Sequence, residues 1–290
     1  GITHIFRGEE HLPNTPRQIL LYEALGHTPP LFGHLSLILT PEGNKMSKRF
    51  GDISIASYRK RGYLPEALVA YLATLGWAPG PHPERFGLQK LMERFEIGQL
   101  SDNPSTFDPD RLAWFNKRRL QRADVGYVGE LLKPRLEAAY GDWHRAESMA
   151  HDPQTWYRLL VEATREEATT LQDMVELSEF AFSEGMPNLT PEAREALEGE
   201  QAHAVLGYCL DTLTASDLVS HKAANDHLRS VRGHFREEAD LGGRDVMFPL
   251  RAALTGSVSG PSLGLVMSLC GLSRCRKRLK EALSLEIGAP

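Results

Sequence analysis

Cysteine is scarce in this chain of 290 residues: Cys209, Cys270 and Cys275 are the only three, with no repeated spacing. An odd count of this kind excludes a disulfide framework. The Cys270/Cys275 interval lacks a second pair, so no zinc knuckle and no metal site is expected. Free thiols that act as small hydrophobes in a reducing cytoplasm are what remains. Long apolar runs are missing too. None approaches the roughly 20 residues needed to cross a bilayer. The opening Gly1-Ile2-Thr3-His4-Ile5-Phe6-Arg7 has no basic region ahead of an apolar stretch, so it is no signal peptide. Nor is there an excess of positive charge: Lys+Arg 33 against Asp+Glu 38 gives −5. The total therefore does not announce a nucleic-acid binder.

What is present is an ordinary globular composition, 41% hydrophobic and 24% charged. The length fits two or three domains. Without an initiator Met, and starting on a strand-like run, the chain reads as a piece of a longer one. Two basic runs, Lys117 to Arg122 and Arg274 to Lys280, stand out in the acidic background. They suit either phosphate contacts or a solvated helix face, and charge alone does not choose.

The first 50 residues alternate. Ile2 to Phe6 reads as a strand. Thr15-Pro16-Arg17-Gln18 reads as a capping box opening a helix that stops at Gly26. Leu35 to Thr40 reads as a second strand before the turn Pro41-Glu42-Gly43-Asn44. One or two strands do not make a stable sheet, so partners are expected upstream. Beyond residue 51 the pattern is helical. Breaks are expected at Gly62, at Gly76 with the Trp77–His82 loop, near Gly141, and at Asp152-Pro153. Further breaks fall at Gly185–Pro191, Gly199, Gly242-Gly243, Pro249 and Gly256–Gly264. The fold class is mainly α: a remnant of an α/β layer followed by helix bundles.

The most specific string is Lys45-Met46-Ser47-Lys48-Arg49, on a loop between a strand and a helix. Such a loop can offer ammonium groups to a nucleotide at the carboxyl edge of a parallel sheet. As pyrophosphate leaves ATP, charge grows on the α-phosphate, and two mobile lysines would stabilise it. A flexible ammonium suits a loop that closes and reopens. The competing reading is an exposed basic turn.

This string is the signature of class I aminoacyl-tRNA synthetases, and its surroundings resemble the bacterial glutamyl-tRNA synthetases. Thr3-His4-Ile5-Phe6-Arg7-Gly8-Glu9-Glu10-His11-Leu12 is similar to the stretch before the motif. So are Gly62 to Leu68 with Leu75-Gly76-Trp77, Phe107 to Leu112 with Trp114 and Asn116, and Pro249 to Gly256. The landmarks run in order from residue 1 to about 270, weakest between 125 and 245.

The resemblance implies a glutamate–tRNA ligase that uses ATP with Mg2+, L-glutamate and a glutamate tRNA, as a cytoplasmic monomer away from membranes. It implies the distal part of the catalytic nucleotide-binding domain over 1–50 and a helical stem-contact domain over 51–122. Helical anticodon-binding subdomains follow over 123–200 and 201–290. Arg7 matches a glutamate-binding arginine, a role that suits a guanidinium fork. Glu10 matches an ATP ligand, with a helix-opening charge as the alternative. Ile38 matches a main-chain contact to adenine. Lys45, Met46, Ser47, Lys48 and Arg49 form the phosphate loop, with Lys45 and Lys48 the catalytic cations. Trp114, Asn116 and Lys117 fall where the family contacts tRNA, and Trp114 suits a core anchor equally well. Arg251 reads as helix packing before base reading.

Two departures matter. The family's other catalytic motif, a His-x-Gly-His type, is absent; Glu10-His11 and Gly33-His34 lack its pattern. The chain is therefore expected to be inactive alone. The family also often reads the third anticodon base with an arginine, where alignment on Thr170-Leu171 puts Glu167, with Arg165 a shift of two away. A non-catalytic tRNA-binding module is the alternative, against which the intact Lys45–Arg49 string speaks. A glutaminyl enzyme would carry β-barrel anticodon domains, and the helical pattern after 123 argues against them.

Overall fold

The computed structural model describes residues 1–46, 54–141 and 151–285. Ser47, Lys48 and Arg49 lie outside the described residues. The chain forms two compact units, Gly1–Arg119 and Leu120–Pro290.

In the first unit, strand β1 (His4–Gly8), a 3-10 turn (Glu9–Asn14), helix α1 (Thr15–Ala24) and strand β2 (Leu31–Leu35) form one parallel β–α–β layer. His4 pairs with Leu31 and Gly8 with Leu35. The first strand sits two residues later than the sequence suggested. The strand expected over Leu35–Thr40 is reduced to β3 (Ile38–Leu39): β2 lies ahead of it and ends at Leu35, and β3 pairs in parallel with the distant β4 (Ser105–Thr106). The capping box does not form. Asn14 is the N-cap and makes no side-chain cap bond, although proline does open α1. Leu20 (65% exposed) and Leu25 (71%) leave an apolar face on this layer open.

Helices α2 (Ile55–Arg61), α3 (Pro65–Leu72), α4 (Leu88–Arg94) and α5 (Pro109–Arg122) follow. Ser54 caps α2, and Gly62 ends it in the left-handed region at φ 87°, a conformation that costs glycine little. Asp108 Oδ1 caps α5 by accepting from the amides of Asp110 and Arg111. The core beneath these helices joins Tyr58, Leu68, Tyr71, Leu91, Phe107 and Phe115. The rings of Tyr71 and Phe107 meet edge to face at 5.4 Å.

The second unit is all helix among its described residues. It runs α6 (Val125–Tyr140), α7 (Pro153–Arg165), α8 (Leu171–Leu177), α9 (Glu179–Phe182), α10 (Pro191–Ala196) and α11 (Glu200–Thr212). Then come α12 (His221–Ala239), α13 (Gly243–Thr255) and α14 (Leu263–Leu283). Thr170 and Asp173 close a reciprocal capping box on α8. The break expected at Pro249 does not occur. Pro249 sits inside α13 with Val246, Leu250 and Ala253 buried around it, and this packing outweighs the local penalty for proline. Helix α14 is kinked at Gly271 (φ 71°, ψ 169°). It packs on α7, α9, α11, α12 and α13. Trp156 of α7 is 2% exposed and donates from Nε1 to Leu269 O at 2.9 Å.

Candidate functional site

At the end of β1 the Arg7 guanidinium is already engaged. It donates to Gln18 Oε1 at 2.8 Å and Thr15 Oγ1 at 2.6 Å, and lies 5.1 Å from the centre of the Phe32 ring. The Thr15 and Gln18 side chains read as a helix cap in the sequence. They turn instead to this cation, because bonds to a charged donor are stronger than a neutral cap. On one side Arg7 borders a cavity of about 310 Å³ lined by Ile5, Leu21, Tyr22, Leu25 and Phe32.

Two residues beyond β1 stands Glu10. The chain leaves β3 in a tight turn in which Gly43 N donates to Thr40 O and Thr40 N to Asn44 O, with Gly43 at φ 81°. This turn returns Lys45 antiparallel to Leu39. Its ammonium comes to 2.9 Å from Glu10 Oε1, with both groups open to solvent. The hydrogen bond from Lys45 holds the Glu10 carboxyl below its ordinary value. The next amide, Met46 N, donates to Ile38 O at 3.1 Å. Glu10, Ile38, Lys45 and Met46, scattered over 37 positions of sequence, thus meet at one place.

On α5 the expected tRNA-binding residues part company. Trp114 is 45% exposed, with the Arg118 guanidinium 5.7 Å from its ring. The core position that Trp114 also suited goes to Phe115, 1% exposed. Lys117 is half-buried. Asn116 is fully buried, and its Oδ1 accepts from Leu64 N at 2.8 Å. The side chain is spent on the first turn of α3, away from solvent.

In the second unit a cavity of about 490 Å³ opens between α8, α9 and the loop after α13. Its wall carries Glu167, Asp173, Glu176 and Glu179, with Asn188, Thr190 and Gly256 opposite. Glu167 lines it and Arg165 does not. Arg165 donates from Nη1 to Ala123 O at 3.0 Å and lies 3.7 Å from the Glu166 carboxylate. Arg251 is held by Pro261 O, and burial lowers its pKa against the pull of the Glu167 charge. Sequence reading missed the three further carboxylates, while the break it expected over Gly256–Gly264 does supply the opposite loop. Gly256 and Gly260, which signalled that break, are both at positive φ.

A family pattern for the catalytic domain of class I tRNA synthetases of the E and Q kind matches residues 1–114. A second, for an anticodon-binding domain, matches residues 118–283. The chain belongs to the class I tRNA synthetases. The synthetase chain is 38% identical over 282 residues to a protein named glutamate–tRNA ligase from Carboxydothermus hydrogenoformans, covering 96% of this chain and 56% of that one. A like-named protein from Heliobacterium modesticaldum is 38% identical over 287 residues, covering 98% and 56%. A crystal structure of a glutamate tRNA ligase from Elizabethkingia meningosepticum with its amino acid matches 98% of this synthetase chain. It does so with a TM-score of 0.79 at 26% identity, over 57% of its own length. The synthetase chain thus spans a little over half the length of the curated relatives it matches. Among its described residues no helix is long and apolar enough to cross a membrane.

Proposed function

We propose that the chain is the part of a glutamate–tRNA ligase that closes over ATP and holds the tRNA, and that it does not aminoacylate alone. The Glu10–Lys45 pair carries this reading. The turn at Gly43 puts the ammonium that opens the phosphate loop onto the carboxylate beyond β1, 2.9 Å away. ATP arriving with Mg2+ displaces this pair: Lys45 then turns to the phosphates with Lys48, Ser47 and Arg49, and Glu10 accepts from the ribose. Ile38 sits where main chain meets adenine. Arg7 takes the glutamate carboxylate through its fork, exchanging its bonds to Thr15 and Gln18. The open apolar face of the β1–α1–β2 layer supports its place in a larger sheet.

Residues 51–122 serve as the stem-contact domain, with Trp114 and Lys117 toward the RNA. The segments 123–200 and 201–290 form two anticodon-binding subdomains of a cytoplasmic monomer. The cavity at Glu167 receives an anticodon base. Its carboxylates suit a base's amino edge and repel phosphate. The test is binding of the chain to a glutamate tRNA transcript over a range of salt, beside the same tRNA with its third anticodon base changed. Binding that falls with salt and weakens on the change is expected. Equal, weak binding to both tRNAs rejects the anticodon role. Glutamate- and tRNA-dependent pyrophosphate exchange by the chain alone would reject its inactivity.

A further inference from the structure

The basic run Arg274 to Lys280 is divided: Arg276, Lys277 and Lys280 are exposed, whereas Arg274 is half-buried and Arg278 turns inward. Arg274 Nη1 donates to Ala181 O at 2.6 Å, and Arg276 Nη2 donates to Leu213 O at 3.1 Å. Arg278 is fully buried. Its Nε donates to Gly185 O at 2.9 Å and its Nη1 to Leu254 O at 2.7 Å. Its Nη2 donates to Phe180 O at 2.7 Å, and also to the carbonyl and hydroxyl of Ser183. The remaining bond from Nη1 goes to Cys270 Sγ at 3.4 Å. One guanidinium has five N–H donors in a rigid fork, and here all three nitrogens serve main chain. Three residues on, Glu281 Oε2 accepts from Met186 N at 2.7 Å.

The acceptors are not random. Phe180 and Glu179 form one wall of the acidic cavity; Thr255 and Gly256, directly after Leu254, form the other. Behind the cavity Arg278 therefore ties both walls to α14. Within the second wall, Thr190 N donates to Gly256 O at 2.9 Å. The spacing between the two walls is thus set by bonds from Arg278, a side chain that does not itself line the cavity.

We infer that Arg278 is a positioning residue for base recognition in the Glu167 cavity: it fixes the separation of the α9 and α13 walls without touching the tRNA. The inference rests on the proposed anticodon role of that cavity. An ammonium in its place offers three donors without the planar fork and cannot hold both walls.

The experiment compares the chain with Arg278→Lys, measuring affinity for the glutamate tRNA and for the tRNA changed at its third anticodon base. Hydrogen exchange of the amides in both walls is followed alongside. With Arg278→Lys the ratio of the two affinities falls roughly tenfold, about the size of one lost base contact. Binding to the changed tRNA stays as it was, and exchange quickens at 180–185 and 254–257 ahead of α11 and α12. An unchanged ratio in the folded variant overturns the inference. So does exchange that rises evenly through the unit, as a merely structural loss would give. If Arg278→Lys does not fold, Ser183→Ala removes one acceptor of the same cluster, and its ratio is expected to fall about threefold. An unchanged ratio there overturns the inference equally. Should the unaltered chain bind both tRNAs alike, the anticodon role itself fails, and that result is seen before any variant is made.

Discussion

Leu64 N donates to Asn116 Oδ1 at 2.8 Å across 52 positions of sequence, with both residues fully buried. The amide opens α3, whose first N–H groups have no partner within the helix. Replacing Asn116 with Leu leaves that donor dry, at a cost of about 1–3 kcal/mol. We expect urea unfolding of Asn116→Leu to show that loss with an unchanged m-value. An unaltered midpoint would mean that the bond contributes nothing.

How much of this was written locally differs from residue to residue. Ser54, Asp108, Asp152 and Thr170 cap helices where the sequence shows a capping residue beside an apolar period, because both partners lie within four positions. The partner of β3 is Ser105–Thr106, and no local pattern names a strand that far away. Thr15 and Gln18 satisfy a cap pattern but serve Arg7, a charged competitor brought in by the β1 register. The Lys45–Arg49 motif was legible as a string, whereas its meeting with Glu10 depends on the Gly43 turn. The acidic cavity was illegible, since its walls come from helices and loops spread between Glu167 and Pro261.

Gly256 ends α13 at φ 75°, and a Cβ there would run into the Asn188 carbonyl. Gly256→Ala should therefore destabilise the second unit by about 1–3 kcal/mol. Thermal unfolding checks it. A gain in stability would contradict the close approach of the two loops.

His227 is buried, with Nδ1 3.6 Å from Asp217 Oδ2 and Nε2 3.8 Å from Cys209 Sγ. Burial lowers its pKa, against the pull of the Asp217 charge. The unfolded chain takes this proton more readily, so the stability tied to His227 is complete above the unfolded pKa of about 6.5 and drains away below it. With 11 histidines in the chain, the informative comparison is with His227→Gln. Unfolding free energy between pH 7.5 and 5.5 should fall less steeply in that variant. Parallel curves would count against the assignment.

Two tryptophans should behave in opposite ways. Trp156 is 2% exposed and hydrogen-bonded to Leu269 O, so Trp156→Ala should cost about 3–5 kcal/mol. Trp114 is 45% exposed under Arg118. Trp114→Ala should leave the unfolding midpoint nearly unchanged while weakening tRNA binding, as loss of a stacking face would, by about 1–3 kcal/mol. A large stability loss at Trp114 would return it to the core.

Lys45 and Glu10 meet at the surface, so their pair stabilises the fold little and is screened by salt. On the proposed function its worth lies in the exchange that ATP provokes. Lys45→Ala in a chain joined to a relative's upstream catalytic half should slow aminoacylation roughly 10- to 100-fold, because charge stabilisation at the leaving pyrophosphate is lost. The unfolding midpoint should not move. Glu10→Gln removes the carboxylate that holds Lys45 when ATP is absent but leaves an acceptor for the ribose. It should change the rate far less. Equal losses at both positions would mean that the pair acts as a unit in the reaction. In that case Glu10 would be guiding Lys45 rather than binding the nucleotide.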